Sequence, residues 1–207
     1  MRQDLTTVSD EELARETQAG SLDAFEQIVY RFEHRVFAFA SQFCRDATDA
    51  REATQDTFVK AFQSIGQFDC RRAFAPWLFT IARRKCIDRH RSKPKNVESF
   101  EPELIDQNTP LELAARREEA VDLWRLARQR LNTNQFQALW LHYAEDMQVE
   151  QVARVMRKTR VHIKVLLFRA RQVLSRELNP SLNLSEALPE PRPGAMLATL
   201  TEQRTLL

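Results

Sequence analysis

The chain has 207 residues, 43% of them hydrophobic, enough to fill one large core or two small ones and too apolar for wholesale disorder. Three glycines and few alternating β-branched runs point to a mostly helical protein. Met1-Arg2-Gln3-Asp4 opens no apolar leader, and the longest apolar stretch, Val36 to Ala40, is far too short to cross a bilayer, so a cytoplasmic protein with no membrane insertion is expected.

The net charge of +2 conceals a segregated pattern. Residues 9–26 carry Asp10, Glu11, Glu12, Glu16, Asp23 and Glu26 against Arg15 alone, and residues 98–122 hold eight acids against Arg116 and Arg117. Residues 83–95 hold seven Lys or Arg with only Asp88, and residues 154–176 hold eight with no acid until Glu177. One such stripe reads as a solvated helix face. Two, each inside a patterned helix, point to two places that meet phosphate.

Ser9 and Glu12 form a capping-box pattern that opens a first helix. After Gly20-Ser21, Phe25, Ile28, Val29, Phe32, Val36, Phe39, Ala40 and Phe43 recur at helical spacing. A third stripe runs through Ala50, Ala53, Thr57, Phe58, Ala61, Phe62 and Ile65, and Gly66-Gln67-Phe68-Asp69 breaks it. A fourth helix is expected from Phe74 to Arg91, with Trp77, Leu78, Ile81 and Ala82 on its apolar side. Together these make a first bundle, residues 9–91. Pro94, Pro102 and Pro110 interrupt an acidic stretch, so 92–110 reads as a flexible linker.

A second domain is expected over 111–178. Ala120, Val121, Trp124, Ala127 and Leu131 line its first helix, and Phe136, Leu139, Trp140 and Tyr143 line a helix over Thr133 to Tyr143. Val149 to Met156 and Arg160 to Leu178, joined by Arg157-Lys158-Thr159, have the form of a helix-turn-helix with a basic second helix. Ala153 allows the close crossing, and Val152, Met156, Ile163 and Leu167 would lock the pair. Residues 179–207, with Pro180, Pro189, Pro191 and Pro193, read as a tail. The fold class is therefore all-α, two small helical domains joined by a flexible linker.

The fourth helix and the break before it mix rings with cations: Phe68, Phe74, Trp77 and Phe79 beside Arg71, Arg72, Arg83, Arg84, Arg89 and Arg91. Single-stranded DNA is held by such a mixture, stacking being worth about 1–3 kcal/mol per base. Phe74 and Trp77 also fit a core at helical spacing. Phe68 lies off every stripe, where a loop would offer it to an unstacked base. In the second domain Arg160, His162, Lys164, Phe168, Arg169 and Arg171 populate the reading helix; Lys164 is placed to reach a guanine edge, while Arg169 and Arg171 suit phosphate.

Cys44, Cys70 and Cys86 are widely spaced, and His34, His90, His142 and His162 are scattered, so no metal, cofactor or catalytic residue is assigned. The paired acids Glu118-Glu119 suit a solvated face. An enzyme is the weakest reading. The competing ones are a duplex-binding regulator and an interaction protein.

The stretches DATDAREATQDTFVKAFQSIGQF (46–68), FAPWLFTIARRKCIDRHR (74–91) and VEQVARVMRKTRVHIKVLLFRAR (149–171) resemble, in this order, a bacterial sigma factor of the extracytoplasmic-function group. The resemblance covers residues 9–178. It implies a protein that binds core RNA polymerase and directs it to promoters, with Asp49, Glu52, Gln55, Asp56 and Phe58 docking on the polymerase clamp. It implies that Phe68 and nearby loop residues take the minus-10 element, that the third stretch reads the minus-35 element of promoter DNA, and that the linker threads toward the RNA exit channel. An anti-sigma factor is an implied partner. A sigma-like interaction protein or helix-turn-helix regulator without initiation activity is the alternative.

The chain departs from the group's pattern at several positions. Arg51 and Thr54 dilute the acidic run of the docking helix, which a phosphothreonine at Thr48 or Thr54 would restore. Arg84 stands where an asparagine is usual, Arg157 where the turn has glycine, and Val161, Val165 and Leu166 where the reading helix has small or polar residues.

Overall fold

The computed structural model describes residues 7–44, 46–92 and 123–178, with side chains as far as Arg89 in the second stretch. The expected linker (92–110), the start of the second domain near Leu111, the Pro-containing tail (179–207) and the Arg91 side chain lie outside the described residues. Among those residues there are eight α-helices and no strand, in two compact units. No described helix is long and apolar enough to cross a membrane.

In the first unit, α1 (Asp10–Gln18) is capped by Ser9, whose hydroxyl accepts from the Glu12 N–H at 3.2 Å. The Glu12 carboxylate pairs with Arg15. Three acids fill the first turn, where the helix dipole favours them. Gly20, with φ +101°, makes the left-handed exit into Ser21, the N-cap of α2 (Leu22–Ser41). Ala24, Ile28, Phe32, Val36, Phe39 and Ala40 of α2 are buried at the expected spacing. This helix is the hub, packed against α1, α3 (Ala47–Ser64) and α4 (Phe74–Ser92).

Asp46 caps α3 through the Asp49 N–H at 2.7 Å. Ala50, Ala53, Thr57, Phe58 and Ala61 face the core. Phe62 does not: the periodicity grouped it with them, yet it is exposed, its ring tilted against Phe25 with centroids 4.9 Å apart, one position past the buried stripe. A single 3₁₀ turn, Ile65–Gln67, follows α3.

Two contacts from α1 fix the segment before α4. The Gln18 carboxamide donates to the carbonyls of Ile65 (2.7 Å) and Phe68 (2.8 Å), and a Glu11 carboxylate oxygen accepts from the Phe74 N–H at 2.9 Å. The second is a cap supplied from another helix, with negative charge at a helix N-terminus.

In the second unit, α5 (123–130) and α6 (Thr133–Tyr143) meet through Trp124, Phe136 and Trp140; the Trp124 and Trp140 rings are 4.9 Å apart. The capping box Asn132–Gln135 starts α6, with both hydrogen bonds at 3.0 Å. Helices α7 (Val149–Met156) and α8 (Arg160–Leu178) have the expected bounds, and Val152, Ala153, Met156, Ile163 and Leu167 are all buried between or beneath them.

Arg157 ends α7 in the left-handed conformation, φ 53° and ψ 47°, with its N–H on the Arg154 carbonyl and the Lys158 N–H on Ala153. An L residue is strained there by about 1–2 kcal/mol, part of which a glycine loses again to unfolded-state entropy. Arg157→Gly is therefore expected to stabilise this unit by about 0.5–1 kcal/mol, raising its Tm by roughly 2–8 °C in calorimetry. An unchanged or lower Tm would show that the arginine side chain compensates for the strain.

Candidate nucleic-acid interface

The break between α3 and α4 is built differently from the sequence expectation. The Phe68 ring is only 6% exposed, packed edge-on against Phe74 at 5.4 Å and tilted on Trp77 at 5.1 Å. Phe74 is wholly buried and also meets Phe32 at 5.5 Å. Both rings were expected at DNA; in this structure both lie in the core of the first unit. Phe68 belongs to no helical stripe, but Trp77 and Phe74 stand one turn apart on α4 and form the cleft that receives it. Trp77 is half-buried, at the edge of the cluster.

What this segment offers to solvent is cationic. Arg71 is the most exposed, with Arg72 beside it, and both pair with Asp69: Arg71 Nε to Oδ1 at 2.9 Å, Arg72 Nε to Oδ2 at 3.4 Å. The Arg71 hydrogen bonds hold the Asp69 carboxyl below the usual carboxylate range. Ion pairs this exposed to solvent are weak, so the guanidiniums can exchange Asp69 for phosphate at small cost. Further along α4, Arg84 is exposed and Arg83 half-buried.

Arg89 was grouped with these DNA-facing cations, but in the free protein it is engaged elsewhere. It lies across α3, where its guanidinium hydrogen-bonds Glu52, reaches Asp56 Oδ2 at 3.1 Å and lies 3.8 Å from Asp49 Oδ1. The three acids stand at i, i+3 and i+7 on one α3 stripe, so a single fork spans them. Burial works against the guanidinium charge, but hydrogen bonds to Glu52 and Asp56 outweigh it and raise the Arg89 pKa.

The residues expected at polymerase divide accordingly. Asp49 and Phe58 are buried, Asp56 is half-buried, and Glu52 and Gln55 are exposed. Beside them Val59, which the expected stripe left out, and Phe62, which it placed in the core, present apolar surface. The α3 positions opposite the Ala50–Thr57–Ala61 stripe would have revealed Val59. Thr54 is buried and its hydroxyl donates to the Ala50 carbonyl at 2.8 Å, whereas Thr48 is exposed.

In the second unit α8 starts at the Thr159 hydroxyl, which accepts from the His162 N–H at 3.2 Å. Its inner side, Ile163, Leu166, Leu167, Ala170 and Leu174, fills the core. Leu166 therefore faces inward and not, as expected, toward a groove. The outer side presents His162, Lys164, Phe168 and Arg169, with Arg171 half-buried. Arg160 is exposed but pairs with Glu150 of α7 at 3.3 Å. Glu150 is held below the usual carboxylate range by a hydrogen bond from its own backbone and by Arg160. Of the six residues expected at the minus-35 element, five thus line one end and the outer side of α8, and Arg160 is partly committed to its neighbour helix.

Residues 28–95 match the Sigma-70 region 2 family, and residues 123–174 match Sigma-70 region 4. The chain is 30% identical to RNA polymerase sigma-H factor of Pseudomonas aeruginosa over 86% of this chain and 98% of that protein. It is 31% identical to ECF RNA polymerase sigma factor BldN of Streptomyces coelicolor over 81% of this chain and 65% of that one. Among solved structures, CnrH in complex with the cytosolic domain of CnrY is similar, with a TM-score of 0.60 and 26% identity over 84% of this chain and 99% of that chain.

Proposed function

Because the chain belongs to the extracytoplasmic-function sigma factors, and so directs RNA polymerase to promoters without being an enzyme, we propose a division of that task among its surfaces. The exposed side of α3, with Glu52, Gln55 and Asp56, docks on core polymerase. Arg71, Arg72 and Arg84 follow the phosphates of the minus-10 element, with Trp77 as the ring nearest solvent. The outer side of α8 enters the major groove of the minus-35 element, where Lys164 and Arg169 flank the bases. An anti-sigma factor is the further partner, and the cytoplasm, where polymerase works, is the location.

The observation that carries this division is the coexistence, in one chain, of an exposed cationic loop beside a closed aromatic cluster and a helix-turn-helix with a free cationic outer side. A helix-turn-helix regulator alone would leave the first of these unexplained.

The test combines core polymerase, the full chain and a promoter library, with run-off transcripts sequenced. Specific start sites are expected. On a promoter so identified, Lys164→Ala and Arg169→Ala should each flatten the slope of log affinity against log salt by about 1. Polymerase binding without initiation would support an interaction protein instead, and duplex binding without polymerase would support a regulator.

A further inference from the structure

The outer side of α8 carries a feature that phosphate binding does not use. Val161, Val165 and Phe168 stand at spacings of four and three, on one stripe, and are 72%, 40% and 57% exposed. Directly behind them Ile163, Leu166, Leu167, Ala170 and Leu174 already fill the core, so the three outward side chains contribute little to folding. Basic side chains border the stripe on both sides, Lys164 and Arg171 along one edge and Arg169 along the other, where His162 also stands.

An apolar strip with cationic margins has a counterpart in duplex DNA. Phosphates form the two walls of the major groove, and the one apolar group its floor presents is the C5-methyl of thymine. Valine and phenylalanine side chains neither donate to nor accept from base edges, so they cannot read the hydrogen-bonding pattern of a guanine or an adenine. From Val161 to Phe168 the helix advances about 10 Å, the length of roughly three base-pair steps.

We infer that this chain reads its minus-35 element chiefly through thymine methyl groups, seated against Val161, Val165 and Phe168, with Lys164 and Arg169 fixing the register on the backbone. The inference rests on α8 being the minus-35 reader. It makes Val161 and Val165 specificity-determining residues, and the ligand a thymine-containing step of about three base pairs.

The experiment uses holoenzyme formed from the full chain and core polymerase. Promoter duplexes enriched by the holoenzyme are sequenced, and each thymine of the minus-35 element is then replaced by deoxyuridine, which removes one methyl and nothing else. Loss of about fourfold in affinity per contacted methyl is expected, from the burial free energy of one such group. In holoenzyme carrying Val165→Ser, the thymine-to-uracil ratio should fall toward one at a single position, while the unfolding temperature of this exposed-site variant stays unchanged. Equal binding of thymine and uracil duplexes, or an enriched element lacking thymine, overturns the methyl readout even if Lys164→Ala and Arg169→Ala weaken binding. If those two variants leave both binding and salt dependence intact, the assignment of α8 itself fails.

Discussion

Replacing Phe74 with alanine is expected to remove about 3–5 kcal/mol from the stability of the first unit, because the ring is wholly buried among Phe32, Phe68 and Trp77. Domains of this size have about 5–15 kcal/mol in total, so the unit should be largely unfolded or close to it at 37 °C. Calorimetry of the full chain should show the first-unit transition lowered or lost while the second-unit transition stays in place. Phe74→Leu keeps most of the volume and should cost far less. The cluster assignment would be wrong if Phe74→Ala melted normally and only promoter opening suffered, since the ring would then be meeting a base.

The second large effect concerns Arg89. Arg89→Ala leaves the Asp49 carboxylate, 4% exposed, without the cation that lies across it, and also releases Glu52 and Asp56. Removing one member of a buried ion pair is costly, whereas the two partly exposed acids contribute little. A loss of about 2 kcal/mol is expected, lowering the first-unit Tm by roughly 10 °C. Arg89→Lys should recover only part of it, because an ammonium cannot span two carboxylates as a planar fork does. The salt dependence of promoter binding by the folded variant should match that of the parent. A slope flatter by about 1 would mean that Arg89 leaves its acids for a phosphate in the complex.

The bounds of α6, α7 and α8 were legible because local rules agree there. Asn132 and Thr159 cap, the apolar spacing is regular, and a three-residue turn separates α7 from α8. The family was legible for a related reason, since the order of the two basic helices survives in the linear sequence. What escaped was decided by residues far apart in the chain. Phe68 has no periodic neighbours, and its burial depends on rings six and nine positions later. Arg89 looked like one of seven cations within residues 83–95, yet its partners lie 33 to 40 positions earlier on another helix. The apolar outer side of α8 was visible as a departure from pattern, but only the burial of Leu166 separates Val161 and Val165 from the core residues around them.

The two tethers from α1, Gln18 to the Ile65 and Phe68 carbonyls and Glu11 to the Phe74 N–H, bear on how the Arg71–Arg72 loop meets its ligand. They anchor the chain at both shoulders and leave about five residues between, so little conformational search remains when a strand arrives. On the proposed division of surfaces, the acidic first helix would touch no nucleic acid itself, yet would govern how quickly and how firmly the cationic tip closes on one. Sequence changes at Glu11 or Gln18 would then surface as slower promoter opening, in a region that no inspection of basic residues would single out.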